Sequence, residues 1–247
     1  MSDPASQSTY SHVHHHHHHH SSVLEANREH FDSQAHVHGY ETNEIAQTLA
    51  KKCGAAILKA FPFDEDKTVA MDYACGVGLL SQTLAPHTRT LIGVDISPKS
   101  VTYFNERVAN QGISSDEMRA ICVELKERGV GEPDALDGIE FDVIVCTNAY
   151  HHFDDIGVVT KTLASYLKPG TGTLLVIDLI RSPTSESLHK DHGHVVAHKG
   201  GFVEEAVRDA FVKTANLQNF TFEVAFDMSQ REKSVDLFIA KGVRSNA

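Results

Sequence analysis

The feature that most constrains this chain is the loop Asp72-Tyr-Ala-Cys-Gly76-Val-Gly78, set directly behind a short apolar run, Thr68-Val-Ala-Met-Asp72. Small residues in such a loop let backbone and ligand approach closely, and the amides opening the next helix are exposed as donors. The apolar run reads as a buried strand, and Leu79, Leu80 and Leu84 read as the helix behind the loop. A second run, Thr90-Leu-Ile-Gly-Val-Asp95, completes a βαβ unit. Such a unit commits a chain to a parallel sheet with helices on its faces.

The alternation continues downstream. Ser97-Pro98 opens a helix to Gln111, strands fit Met118–Leu125, Phe141–Thr147 and Thr173–Leu179, and a helix over Ile156–Leu167 ends at Lys168-Pro169-Gly170. A helix near Val203–Thr214 then precedes strands over Phe220–Phe226 and Val235–Ala240. The polar turn around Ser229–Lys233 makes these two an antiparallel hairpin at the sheet edge. Upstream, Val23–Ala60 is helical, with Ile45, Leu49, Ala56 and Leu58 spaced for one buried stripe. Met1–Ser22 is Ser- and His-rich, and its run His14–His20 cannot bury a core; it reads as a disordered tail, either a tag or a native low-complexity feature. The expected organisation is this tail (1–22) and one domain (23–247), with a helical cap over 23–63, a core over 68–180 and a substrate loop, helix and hairpin over 181–247.

The balance of 33 acidic against 22 basic residues, a formal charge of −11, would repel a phosphate backbone, so no nucleic-acid substrate is expected. Cys53, Cys75, Cys122 and Cys146 lack CxxC spacing and read as reduced core thiols. No stretch approaches the ~18 consecutive apolar residues of a membrane span, and a cytoplasmic location, with the nucleus still open, is expected.

In an open parallel sheet ligands lie beyond the carboxyl ends of the strands, where strand order reverses. Asp95 stands there, at the end of the second strand, 23 positions after Asp72. Its carboxylate suits a bidentate grip on two ribose hydroxyls. A dinucleotide site would carry a third glycine where this chain has Ser81. Asp72 would also push a pyrophosphate away, whereas it would attract the amino group of a cationic donor such as S-adenosylmethionine, which has no phosphate.

Taken in order, Asp72-Tyr-Ala-Cys-Gly-Val-Gly78, Val94-Asp95-Ile-Ser97, Phe141-Asp142-Val-Ile-Val-Cys-Thr-Asn148 and Leu167-Lys-Pro-Gly170 resemble the successive motifs of class I S-adenosylmethionine-dependent methyltransferases. The likeness is to the small-molecule branch that includes quinone-biosynthesis and fungal secondary-metabolism enzymes. It spans about Thr68–Leu179 and departs from the family at Ala74, where glycine is usual. The resemblance implies an α/β fold: a Rossmann-like, doubly wound, mostly parallel seven-stranded sheet with helices on both faces and a C-terminal antiparallel hairpin. It implies S-adenosyl-L-methionine as cofactor, with Asp72, Ala74 and Gly76 around the methionine moiety, Gly78 of the same loop also in the cofactor site, Asp95 on the ribose, Ile96 against the adenine and Asn148 beside the reactive portion. Glu124 resembles the acid near the adenine amino group, and reads equally well as a solvated helix-start acid.

On the acceptor side, methyl transfer from a sulfonium is an in-line displacement, so positioning and exclusion of water dominate and a base is optional. Tyr150, His151 and His152 follow the Asn148 strand end, where the resemblance places substrate-facing groups; the alternative is that they cap the next helix or pack under the loop. His151 is the favoured base. Phe31–Tyr40 resembles a lid, with Tyr40 its contact to substrate. The loop Leu188–His198 carries His189, His192, His194 and His198; with no acid or cysteine at ligand spacing on a regular element it reads as a substrate loop, and no metal is expected. The expected partner is a small-molecule methyl acceptor, with a protein partner or homodimer open. The competing functions are a methyltransferase-like regulatory subunit acting through a protein partner and a dinucleotide-dependent oxidoreductase.

Overall fold

In the computed structural model, which describes residues 23–33, 42–130, 134–187, 195–230 and 233–246, two helices come first, α1 (Val23–Ser33) and α2 (Glu44–Ala60). Asn43 starts α2 by accepting from the amides of Ile45 and Ala46, both at 3.0 Å. The buried stripe of α2 differs from the expected one. Cys53, Gly54 and Ile57 are buried and Leu49, Ala56 and Leu58 pack partly buried against the same core, while Ile45 is 48% exposed. The cause is close helix approach: a Cβ on Gly54 would lie 2.5 Å from Thr83 Cγ2, so α2 turns its one glycine toward α3 (Leu79–Leu84).

The core alternates as the apolar runs require. It contains β1 (Val69–Tyr73), β2 (Thr90–Asp95), α4 (Pro98–Asn110), β3 (Met118–Cys122), β4 (Val143–Thr147), α5 (Ile156–Tyr166) and β5 (Thr173–Leu179). Then come α6 (Glu204–Arg208), which runs on as a π-helical segment over Asp209–Thr214, β6 (Leu217–Gln230) and β7 (Lys233–Arg244). The seven strands lie in the order β3-β2-β1-β4-β5-β7-β6. The first five in this order are parallel to one another, and β7 runs antiparallel to both β5 and β6. Helices cover both faces, as a Rossmann-like sheet requires.

Alternation along each strand divides the core in two. Val143 and Val145 join Leu80, Phe104 and Ile57 on one face; Ile144 and Cys146 join Leu163, Tyr166 and Phe211 on the other. Every residue of β5 is buried, as expected for a strand covered on both sides. Some boundaries differ from the sequence reading. β3 stops at Cys122, which is exposed rather than a core thiol, whereas Cys53, Cys75 and Cys146 are buried and free. The terminal strands extend well beyond their apolar centres, because pairing along β6 and β7 satisfies backbone groups whatever the side chains are. No described helix is long and apolar enough to cross a membrane.

The chain passes from β1 outward to β2 and β3, then crosses to β4 on the other side of β1. The strand order therefore reverses between β1 and β4. The carboxyl ends of these two strands open onto a cavity of about 760 Å³.

Candidate active site

The loop after β1 is shaped by three left-handed residues, Ala74 (φ 58°), Gly76 (φ 51°) and Gly78 (φ 81°). At Gly76 an added Cβ would meet nothing within 4 Å, so the backbone faces open space on the cavity wall. At Gly78 it would lie 2.5 Å from the Phe104 ring, so this glycine lets α3 start hard against α4 and does not line the cavity. Ala74 holds the same backbone region with a side chain, at a cost of roughly 1–2 kcal/mol.

Two acids lie at the ends of adjacent strands. Asp72, 2% exposed, accepts a hydrogen bond from the Ser81 hydroxyl at 2.5 Å. Burial pushes its carboxyl up to about 7, against the Ser81 hydrogen bond and with help from the Asp95 charge. Ser81, the residue that spoils a dinucleotide fingerprint, thus steadies the acid. Asp95 accepts from the Gly76 amide at 2.8 Å and the Ser97 amide at 2.9 Å, one on each carboxylate oxygen. Burial raises its pKa as well, opposed by these amides and that of Ile96 and abetted by the Asp32 charge. Each oxygen keeps acceptor capacity for a second donor. Ile96, Val123 and Glu124 continue the wall.

Past β4, Asn148 takes a left-handed turn (φ 54°), and the short helical turn Tyr150–His152 follows. His151 is 6% exposed and lines the cavity. Its Nδ1 lies 2.9 Å and 3.1 Å from the two oxygens of Asp178, and its amide donates to Asp178 at 3.2 Å. Asp178 is fully buried near the end of β5 and also accepts from the Leu179 amide at 2.7 Å. Burial alone would raise its pKa; the facing His151 and the amides of Leu179 and His151 outweigh that and hold it below the ordinary carboxylate value. A carboxylate facing Nδ1 fixes the ring's orientation and favours the tautomer with the proton on Nδ1. The sequence reading missed Asp178, although one acid inside Thr173-Leu-Leu-Val-Ile-Asp-Leu179 is a signal, since a buried carboxylate needs a partner.

The other expected acceptor residues separate. His152 lines the cavity, with Nδ1 2.7 Å from the Val195 carbonyl and its ring edge-on to Phe31 of α1. Tyr150 is a correction: it is fully buried in the core with its hydroxyl 3.0 Å from Thr160 Oγ1, because a large ring facing the α5 side fills the space between sheet and helix. His198 also stays off the cavity wall; its amide donates to the His151 carbonyl at 3.0 Å and its ring packs on Phe202. Tyr40, the His14–His20 run, His189, His192 and His194 lie outside the described residues. Among the described residues no group of three His, Cys, Asp or Glu is placed to hold a metal ion. The wall also contains Tyr73, Asn27 and Phe31, none of which the sequence reading assigned as binding residues.

The donor set fits S-adenosylmethionine. It offers acids for an amino group and a ribose, an open glycine backbone between them, and apolar faces at Ile96 and Val123 for a base. The methyltransferase domain family matches residues 43–221. An uncharacterized methyltransferase of Schizosaccharomyces pombe is 37% identical over 153 residues, 60% of this chain and 53% of that protein. A ubiquinone biosynthesis O-methyltransferase of Xanthomonas axonopodis pv. citri is 26% identical, over 60% of this chain and 62% of that protein. The chain thus spans about half to three-fifths of the length of these two relatives. Magnesium protoporphyrin IX methyltransferase from Synechocystis, solved with S-adenosylhomocysteine, shares the fold at a TM-score of 0.64 and 17% identity, covering 91% of this chain and 100% of that one. With its reversed strand order, acid-tipped strands and glycine-turned loop, the chain belongs to the methyltransferase domain family, in the class I group whose cofactor is S-adenosylmethionine.

Proposed function

We propose that the chain transfers a methyl group to a hydroxyl of a small molecule, with His151 as the base. The observation that carries this reading is the His151–Asp178 pair on the wall of the cavity. S-adenosylmethionine, when bound, supplies an electrophilic methyl on a sulfonium. Asp72 and Asp95 hold and orient the donor, the apolar wall excludes water, and His151 accepts the hydroxyl proton as the carbon–oxygen bond forms and the methyl carbon–sulfur bond breaks, its electrons staying on sulfur in the departing thioether. Asp178 keeps Nδ1 protonated and stabilises the imidazolium. A cavity of this size, shared with the donor, suits a small acceptor, and a relative named for ubiquinone biosynthesis supports that scale. Incubating the protein with methyl-labelled donor and a small-molecule extract, followed by mass spectrometry, tests the reading; label that stays on the donor in every fraction overturns it.

Two outcomes concern the donor half. Asp95→Ala is expected to weaken S-adenosylhomocysteine binding by about 1.5–3 kcal/mol, the worth of a charge-assisted contact. Calorimetry measures this, and an unchanged Kd removes Asp95 from the site. Asp72 adds a pH signature. With its carboxyl raised to about 7, Asp72 is largely protonated below neutrality and must ionise to pair with an amino group. Donor binding at about pH 6 is therefore expected to release a proton, and affinity to rise with pH until roughly 7 and then level off. Titrations in buffers of different ionisation enthalpy read the released proton. Asp72→Asn should abolish the release; an unchanged release in that variant assigns the proton elsewhere.

A further inference from the structure

We infer that Asn27 of α1 recognises the methyl acceptor, and that this acceptor is a largely apolar, non-anionic molecule carrying a hydrogen-bond donor in addition to the hydroxyl that reacts. The inference rests on the methyltransferase reading of the cavity and concerns what fills its second half.

Asn27 is 5% exposed and lines the cavity beside the His151 turn. Its Nδ2 donates to the His152 carbonyl at 3.2 Å. A carbonyl oxygen can only accept, so this contact decides which end of the amide faces which way. Oδ1 is therefore the atom turned elsewhere, and it is buried with no hydrogen-bond partner. Burying an acceptor unpaired is costly, and native structures rarely leave one without a reason. A molecule that brings an O–H or N–H to this oxygen removes the cost, and one that brings an acceptor atom does not. The residue thus discriminates by hydrogen-bond sense.

The charge of the wall narrows the class further. Among the described lining residues there is no lysine and no arginine, while Asp72, Asp95, Glu124, Asp154 and Asp155 are all present. A carboxylate or phosphate on the acceptor would meet these acids and no lysine or arginine among the described wall residues. The cavity wall also carries many apolar side chains, among them Leu24 and Phe31 of α1, Ile45, Leu49 and Leu237. Ile45 is nearly half exposed at this wall, and an apolar side chain so placed is covered by an apolar ligand.

α1 itself lies ahead of the matched family region, residues 43–221. It is tied to that region at the start of α4. Asp32 accepts from Ser97 Oγ at 2.6 Å, and the Lys99 ammonium donates to the Asp32 carbonyl at 2.9 Å. Acceptor choice thus resides in an element added to the donor-binding core.

The test uses the full chain saturated with S-adenosylhomocysteine and three matched probes: hexylresorcinol, its monomethyl ether, and a hexyl-hydroxybenzoate that replaces one hydroxyl by a carboxylate. Hexylresorcinol is expected to bind about tenfold tighter than either of the others, the usual value of one well-made hydrogen bond. Asn27→Leu, which keeps the bulk and deletes the amide, is expected to erase the preference over the ether in a folded protein that still binds S-adenosylhomocysteine. A carboxylate probe that binds as well as hexylresorcinol overturns the inference. So does a preference that survives in the variant, or the failure of all three probes to bind a protein that does bind S-adenosylhomocysteine. A protein that binds no S-adenosylhomocysteine overturns instead the reading beneath it.

Discussion

Replacing His151 with alanine is expected to lower turnover by roughly 10²–10⁴-fold, the range for a lost acid–base group, while S-adenosylhomocysteine binds as in the parent. The separation follows from geometry. His151 sits past β4 on a turn held by Asp178, whereas the acids proposed to hold the donor, Asp72 and Asp95, stand toward the ends of β1 and β2. Single-turnover rates with labelled donor measure the first effect and calorimetry the second. Full activity in the variant would show that transfer here needs positioning alone, and would remove the base from the mechanism. A loss of donor affinity equal to the loss of rate would instead make His151 part of the donor pocket.

Asp178→Asn is expected to cost as much turnover, with a stability loss besides. In the parent, the Asp178 carboxylate accepts from His151 Nδ1 and from the amides of His151 and Leu179. An asparagine has one oxygen, so its NH₂ must face a donor, or His151 must turn to the opposite tautomer with the proton on Nε2. That tautomer cannot take a proton from the acceptor, and in comparable His–carboxylate pairs the same change costs about 10⁴-fold. The unpaired buried donors add a destabilisation of about 1–3 kcal/mol. The pH dependence has a definite sign. Because the Asp178 pKa is held below its ordinary value, the carboxylate stabilises the fold at all pH values above the unfolded value. That contribution is lost as pH falls from the unfolded carboxylate pKa of about 3.9 through the lower folded one. Chemical denaturation should therefore show the parent more stable than the variant near neutrality, with the carboxylate's contribution to that difference lost only in acid. Equal stability at neutral pH would mean that the pair contributes nothing to the fold.

The donor half of the site was more legible in the sequence than the acceptor half, and the difference is physical. Asp72, Gly76 and Asp95 stand at strand ends in one βαβ unit, so the spacing of apolar runs already places them side by side. Asn27, His151 and Asp178 are brought together from α1, the turn after β4 and the end of β5, which are far apart in the chain. No local periodicity encodes such a meeting. Tyr150 illustrates the same limit: its neighbour lines the cavity while its own ring is sealed beneath α5, a choice made by the direction of a single helical turn.

What the sequence determined by itself is the layered sheet and the chemistry of its first turn. Continuous apolar runs can only be buried on both faces, and a carboxylate beside left-handed glycines has one sense toward a cationic ligand. Tertiary structure alone decided which face of α2 is buried, since that depends on Gly54 meeting Thr83. It also decided that His151 rests on Asp178 and that the Asn27 carbonyl is left without a partner. Side-chain contacts between distant elements depend on packing distances and rotations that no single segment carries, and on those contacts the proposed chemistry of the acceptor rests.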